Sequence, residues 1–274
     1  MTRRIPGGLG LTGLAALAVL FLAVPVIGLV ARAIAGGALV EAFTTPAVRE
    51  ALVLSLVTTT VSLLLAVALG APLALVLARG RFRGKTLLET VVDLPIVLPP
   101  SVAGLALLLV FGRSGLLGNA LQVAGIQIPF TTIAVVLAQT FVAAPFFVRA
   151  ARAGIGGVDR DLEDAARDLG AEEGSVIRRV TLPLAAPALA AGMVMCWSRA
   201  LGEFGATIMF AGNLPGVTRT LPLVVYSEFQ AGDLEASIAA AAILILAAFG
   251  VLLAVRAIGW RRALDLRGGG IVGR

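Results

Sequence analysis

Two charged side chains stand within an apolar stretch of the chain, where residues 198–207 read S-R-A-L-G-E-F-G-A-T. Arg199 and Glu203 are four residues apart, so on a helix they share one face and can form an ion pair. Charged groups at membrane depth are rare and usually face a partner or an aqueous path. Two interpretations therefore stand side by side: an ion pair that only stabilises the fold, and an anion path that Arg199 helps to line.

Glycines and prolines near these charges predict interrupted helices. Gly202 and Gly205 permit a broken helix or a close backbone approach near a substrate. A second stretch, D-L-P-I-V-L-P-P-S-V-A-G at residues 93–104, contains prolines that free backbone groups. We expect this helix to be broken or kinked, and to face protein or water there. The candidate path residues are Arg199, Gly202, Glu203, Gly205, Thr207, Pro99 and Ser101.

The usual catalytic and metal-binding groups are scarce. The chain has no histidine and one cysteine, Cys196, which lies in an apolar run and is expected to pack as a small apolar side chain. The segment G-R-F-R-G-K-T at residues 80–86 mimics a nucleotide-binding loop, but three residues rather than four separate its glycines. The segment G-R-S-G at residues 112–115 resembles the serine motif of intramembrane serine proteases. That chemistry needs a histidine base, and the chain has none. We therefore expect no catalytic residue, no metal site and no cofactor on this chain, and an intramembrane enzyme is the least favoured function.

The composition is that of an integral membrane protein. Of 274 residues, 59% are hydrophobic and only 14% are charged, with a mean hydropathy of +1.00. The formal charge of +6 does not indicate nucleic-acid binding, because the basic residues lie between apolar runs and only one Tyr and two Trp are available for stacking. Apolar runs of about 20 residues are long enough to cross a bilayer. Six membrane-spanning helices are predicted, at residues 9–30, 51–78, 86–111, 130–151, 184–211 and 234–255.

The basic residues set the expected orientation. With the N-terminus inside, 17 of the 22 Lys and Arg residues fall in cytoplasmic segments, as the positive-inside rule requires. Both termini are therefore expected in the cytoplasm. The chain is read as one transmembrane domain, 1–274, with its core spans at about 51–257, a cytoplasmic loop at 159–183 (the polar loop) and a flexible basic tail at 258–274.

The polar loop has the pattern of a short amphipathic helix followed by a turn. Leu162, Ala165, Ala166 and Leu169 recur at helical spacing and form one apolar face. Asp161 is expected to cap this helix, Gly170 to end it in the left-handed conformation, and Pro183 to begin the next membrane span after a second short helix. The apolar face is suited either to lipid headgroups or to a groove on another protein.

The spacing of the polar loop resembles the EAA loop of bacterial ABC-importer permeases. The loop reads D-A-A, three residues, G, nine residues, V-x-L-P, and it departs from the family pattern at Asp164, where the family has Glu, and at Val180, where it has Ile. The resemblance implies that this loop docks onto a separate ATPase subunit. The implied ATPase-coupling residues are Leu162, Glu163, Asp164, Ala165, Ala166, Leu169 and Gly170.

Two further stretches resemble the molybdate permease family: residues 199–213, with the later T-R-T-L-P-L, and residues 93–104. This resemblance implies an all-α type I ABC-importer permease in the bacterial cytoplasmic membrane, which moves molybdate inward by alternating access. It also implies a homodimer, two cytoplasmic ATPase subunits that carry ATP and Mg²⁺, and an extracytoplasmic molybdate-binding protein. A sulfate or tungstate permease of the same architecture is the alternative. A membrane channel or scaffold that needs no ATPase is a more distant one.

Overall fold

The computed structural model describes residues 8–268, and the side chains of residues 10–253 apart from 38, 40 and 41. Within this range the secondary structure is entirely helical, as the sequence predicted. A π-helical turn, Ile177–Thr181, joins the ninth helix to the tenth. In chain order the α-helices are α1 (Gly8–Ala35), α2 (Ala38–Thr44), α3 (Pro46–Arg79), α4 (Lys85–Val97), α5 (Pro100–Phe111), α6 (Gly118–Val123), α7 (Thr132–Gly156), α8 (Arg160–Asp168), α9 (Glu173–Val176), α10 (Leu182–Leu201), α11 (Gly205–Phe210), α12 (Leu221–Gln230) and α13 (Leu234–Gly268).

Five helical stretches of the described chain are long and apolar enough to cross a membrane, and a sixth is added if α4 and α5 form one broken span. The bend between α4 and α5 is 115°. It falls at residues 98–99 (the first break), where Pro99 caps α5 and Pro100 is its first residue. The predicted interruption of the third span is therefore confirmed, and the number of crossings is five or six.

The fifth span departs from the prediction at both ends. The helical stretch Glu173–Leu201 is continuous through the π-helical turn, so the expected second short helix and the expected span are one rod. At its other end the helix stops at Leu201, and α11 begins only at Gly205. Residues 202–204 (the second break) thus divide the predicted span 184–211 into a long helix and a short one.

Two predicted connecting segments also differ in detail. The segment 112–129, expected as a loop, contains the short helix α6. The last helix, α13, continues to Gly268, beyond the predicted end of the sixth span at residue 255 and into the segment predicted as a tail. The remainder of that tail, residues 269–274, lies outside the described residues, as do residues 1–7.

Helices α3, α7 and α10 pack together at the centre of the structure. Small residues permit this close approach. A Cβ atom at Gly192 of α10 would lie 2.8 Å from the Cβ of Ala150 on α7, and one at Gly70 of α3 would lie 2.9 Å from Val148. In a membrane, where apolar burial between helices gains little, such close packing supplies much of the association energy.

Helices α5 and α11, the short halves that follow the two breaks, pack against each other and against α7. A Cβ atom at Gly104 would lie 2.7 Å from the carbonyl oxygen of Ala206, and one at Gly205 would lie 2.7 Å from the Cβ of Pro100. Phe111 and Phe210 complete this contact, with ring centroids 6.2 Å apart. The two breaks therefore lie side by side in the fold.

Gly104→Ala should destabilise the protein, because the new methyl group meets backbone atoms of α11 that cannot yield without moving the helix. We expect a loss of about 1–3 kcal/mol in the free energy of unfolding. Gly250→Ala is the matched control, since nothing lies within 4 Å of a Cβ at that helical position. Thermal unfolding in detergent should show a lower Tm for G104A than for G250A, and equal Tm values would contradict the proposed packing.

Candidate functional site

Arg199 and Glu203 form the ion pair that their spacing predicted. Nη1 of Arg199 lies 2.7 Å from Oε2 of Glu203, although the contact lacks hydrogen-bond alignment. The Glu203 side chain is 1% exposed, whereas that of Arg199 is 29% exposed. A buried carboxylate needs a compensating charge, and the partly exposed Arg199 side chain provides it.

Glu203 has a second contact that the sequence did not predict. Its Oε1 accepts a hydrogen bond of 2.8 Å from the backbone N–H of Ala206, in the first turn of α11. The carboxylate therefore satisfies one of the free donors at the start of that short helix. Glu203 thus stabilises the second break as well as pairing with Arg199.

The remaining candidate path residues divide into two groups. Pro99 and Ser101, at the start of α5, are exposed in the isolated chain, and Gly202 is also exposed. Ser101 lies beside Gly205. Thr207 is fully buried in the contact of α11 with its neighbours, and its hydroxyl has no hydrogen-bond partner among the described residues. The structure therefore brings the residues of the two breaks together, and it places Thr207 within the packed interior.

An aromatic contact also holds the second break. The rings of Phe204 and Tyr226 lie 5.0 Å apart, centroid to centroid, so α12 packs against residues 202–204. At the start of α12, the backbone N–H of Leu221 donates to Oγ of Ser55 on α3 over 2.8 Å. Sequence reasoning missed both contacts, because partners so far apart in the chain leave no local pattern.

The polar loop forms the predicted helix and glycine turn. Gly170 has φ +86°, the left-handed conformation that ends a helix. The expected cap was wrong by two residues: Asp159 caps α8 and accepts a hydrogen bond of 3.1 Å from the N–H of Asp161. Helix α7 ends at Gly156 and α8 begins at Arg160, earlier than the apolar pattern suggested. Asp159 is therefore the residue immediately before the first turn of α8.

The apolar face of α8 is turned away from the rest of the chain. Leu162 is 51% exposed and Leu169 is 90% exposed. Ala165 is exposed as well, and Ala166 is half-buried. An amphipathic helix gains stability by burying its apolar face, so this face is available to a partner surface.

Glu163 is the one residue of α8 that is buried. Its Oε1 lies 2.7 Å from Nη2 of Arg79, the last residue of α3. The same oxygen accepts a hydrogen bond of 2.7 Å from the hydroxyl of Thr181 in the π-helical turn. Arg79 Nη2 also donates to the backbone carbonyl of Val158 over 3.2 Å. We call these four groups the Glu163 junction, and they connect α8 to α3, to the end of α7 and to the start of α10.

Exposed charges connect the two halves of the polar loop. Arg167 pairs with Asp164 in its own helix and with Glu173 of α9, at 3.0 Å from the latter. The hydrogen bonds to Glu173, followed by those to Asp164, raise the pKa of the Arg167 guanidinium.

A cavity of about 430 Å³ lies between these residues and the Glu163 junction. No cluster of three or more metal-ligating side chains occurs in the part of the chain that the structure describes.

Comparison with known proteins identifies relatives over most of the chain. A family model described as binding-protein-dependent transport system inner membrane component matches residues 66–263. The molybdenum transport system permease protein ModB of Mycobacterium tuberculosis is 49% identical over 214 residues, which cover 78% of this chain and 81% of that protein. ModB of Escherichia coli K12 is 43% identical over 182 residues, covering 66% and 80%. The relatives are membrane components of transport systems rather than enzymes, as the sequence predicted.

Solved structures of low sequence identity share the fold. A chain of a bacterial ABC transporter involved in the import of the acidic polysaccharide alginate superposes with a TM-score of 0.73 at 19% identity, covering 92% of this chain and 93% of that chain. A chain of the methionine ABC transporter MetNI, in an inward-facing conformation, gives 0.59 at 19% identity, covering 77% and 92%. The likeness confirms the expected class of fold, a multi-pass helical membrane fold found in ABC transporters.

Arg199→Ala should destabilise the protein, because the buried Glu203 carboxylate loses its counter-charge. The expected cost is about 3 kcal/mol, seen as a lower Tm in detergent. In R199A/E203Q no buried charge remains unpaired, and the amide oxygen introduced at position 203 can still accept from the N–H of Ala206. The double variant should therefore be more stable than R199A. A double variant that loses the sum of the two single effects would contradict the ion pair.

Proposed function

Because the chain belongs to the family of binding-protein-dependent transport system inner membrane components, we propose that it is the permease subunit of an ABC importer for molybdate. The observation that carries this proposal is the 49% identity to a molybdenum permease over 78% of the chain. The stretch R-A-L-G-E-F-G-A-T at residues 199–207, which includes the second break, also resembles the molybdate permease family. Transport, and not catalysis by this chain, is the function.

We propose six crossings with both termini in the cytoplasm. The distribution of basic residues supports this arrangement, because 17 of the 22 lie in segments that would then be cytoplasmic. In this arrangement α4 and α5 count as one broken span, and the polar loop faces the cytoplasm. The ATPase subunits of an importer would be on the same side.

The exposed apolar face of α8 is the proposed seat of the ATPase. Leu162 and Leu169 provide apolar contact area, and the small side chains of Ala165 and Ala166 let the helix seat closely in a groove. The proposed assembly contains a second copy of this chain, two ATPase subunits that bind ATP and Mg²⁺, and an extracytoplasmic molybdate-binding protein. Closure of the ATPases would move α8 and switch the spans between inward-facing and outward-facing states.

The proposed anion path follows the two breaks. Pro99, Ser101 and Gly202 are exposed in the single chain, and the Arg199 side chain is 29% exposed. Broken helices offer backbone groups to a substrate without requiring lipid to satisfy them. Because Glu203 neutralises Arg199, the pair would guide a divalent anion without holding it tightly. Tight binding would slow release.

Cellular molybdenum content tests the substrate. We expect deletion of the gene to lower molybdenum, measured by mass spectrometry after growth at limiting molybdate. Complementation should restore it, and excess sulfate should not compete. Unchanged molybdenum with reduced sulfate uptake would assign the same architecture to sulfate, and competition by tungstate alone would indicate a shared molybdate and tungstate site. Normal uptake of all three anions by the deletion strain would contradict the proposal.

Gly170→Val should reduce molybdate uptake and lower the amount of ATPase that copurifies, because a β-branched residue is strained at φ +86° and the turn after α8 would change course. Gly170→Asn should be tolerated better, since Asn populates the left-handed region. Gly174→Ala is the matched control, because its backbone is not left-handed and nothing lies within 4 Å of a Cβ there. Wild-type uptake by G170V would contradict a coupling role for the turn.

A further inference from the structure

The buried side of α8 is attached to the rest of the chain by charge. The apolar residues Leu162 and Leu169 face outward, and Glu163 is the buried residue of the helix. Apolar packing therefore contributes little to the attachment of α8 to its own chain. The Glu163 junction provides instead an ion pair of 2.7 Å and a hydrogen bond of 2.7 Å at a single carboxylate oxygen.

The burial of this junction gives it rigidity. The side chains of Arg79 and Glu163 are 20% and 5% exposed. Water at an exposed ion pair competes for both partners and lets them separate, whereas a buried pair is screened little and loses much on separation. Arg79 is also attached to the end of α7 through the carbonyl of Val158. A displacement of α8 must therefore either break buried polar contacts or carry these neighbouring elements with it.

The helices that contain Arg79 and Thr181 are the ones that a displacement of α8 would move. Arg79 is the last residue of α3, which runs as one helix from Pro46. Thr181 lies in the π-helical turn of the continuous rod Glu173–Leu201. That rod ends directly at the second break, two residues after Arg199. One carboxylate thus connects the exposed helix to two membrane-length helices, one of which leads to the candidate anion path.

We propose that Glu163 is a positioning residue that transmits the movement of α8 to α3 and α10, and that it does not contact the ATPase itself. This inference rests on the proposed function, in which α8 receives the force of ATPase closure. It assigns different tasks to neighbouring residues. Leu162 and Leu169 bind the partner, and Glu163 with Arg79 and Thr181 converts the partner's movement into movement of the spans.

Glu163→Gln tests the transmission. The amide keeps the size of the side chain and can accept from Thr181, but it loses the charge that holds Arg79. In proteoliposomes that contain the whole transporter, the ratio of ATP hydrolysed to molybdate transported should rise about tenfold, because ATPase turnover continues while the spans follow α8 less faithfully. Copurification of the ATPase subunits should be unchanged, which separates this role from docking.

Asp168→Asn is the matched control. Asp168 lies on the same helix, carries the same charge and is exposed, so this variant should keep the wild-type ratio. Thr181→Val removes the hydroxyl and leaves the ion pair, and it should give a smaller rise than E163Q. A wild-type ratio in E163Q would overturn the proposal. So would loss of the ATPase from both E163Q and T181V, because Glu163 would then act in assembly or docking.

A distance measurement tests the junction without any transport. In a C196A background, spin labels at residues 168 and 184, both exposed, report the position of α8 relative to α10. The wild-type junction should give one narrow distance that ATP binding leaves unchanged, and E163Q should broaden it. Equal widths in the two proteins would overturn the proposal. If wild-type proteoliposomes import no molybdate but the labels behave as expected, the proposed function fails and the rigid junction stands.

Discussion

The fold depends on one constraint: a bilayer offers no partner for a free backbone N–H or carbonyl, so each interruption of a spanning helix must be satisfied by the protein. At the first break, Pro99 and Pro100 have no N–H to satisfy, and the N–H of Ala103 bonds to the carbonyl of Pro99 over 3.0 Å. At the second break, the carboxylate of Glu203 accepts from Ala206. Proline removes free N–H groups at the first break, and a carboxylate accepts from one at the second, so both breaks limit the number of unsatisfied backbone groups.

The two breaks lie together because glycine permits it. Gly104 and Gly205 bring the backbones of α5 and α11 within contact distance, so the starts of the two short helices pack together. Glu203 at this place requires Arg199, because a lone carboxylate at membrane depth is costly. A requirement of backbone chemistry thus accompanies a charged pair, and we propose that an anion in the path meets its exposed member, Arg199.

Much of this arrangement was predictable from local sequence. Membrane-length apolar runs predicted the long helices, and the prolines at residues 99 and 100 predicted the first break. The spacing of Arg199 and Glu203 predicted their ion pair, and Gly170 predicted the turn after α8. Each of these features depends on residues within a few positions of one another. The resemblance of the polar loop and of residues 93–104 and 199–213 to known permeases added the function, which local physics alone does not specify.

Contacts between distant segments were not predictable in this way. The Arg79–Glu163 pair joins residues 84 positions apart, and no periodicity marks either partner for the other. The continuous rod Glu173–Leu201 was missed for a different reason. Arg178, Arg179 and Pro183 indicate a boundary, but the π-helical turn shifts the hydrogen-bond register just before Pro183, with Leu182 bonding to Ile177, so the helix continues past the proline.

We propose that this chain moves molybdate only when an ATPase drives it. The most direct measurement is the uptake of labelled molybdate by proteoliposomes that contain the permease, its ATPase subunits and the binding protein. Uptake should require ATP, and it should stop when either the ATPase or the binding protein is omitted. Uptake that continues in vesicles containing the permease alone would contradict the account and would assign the chain to a channel.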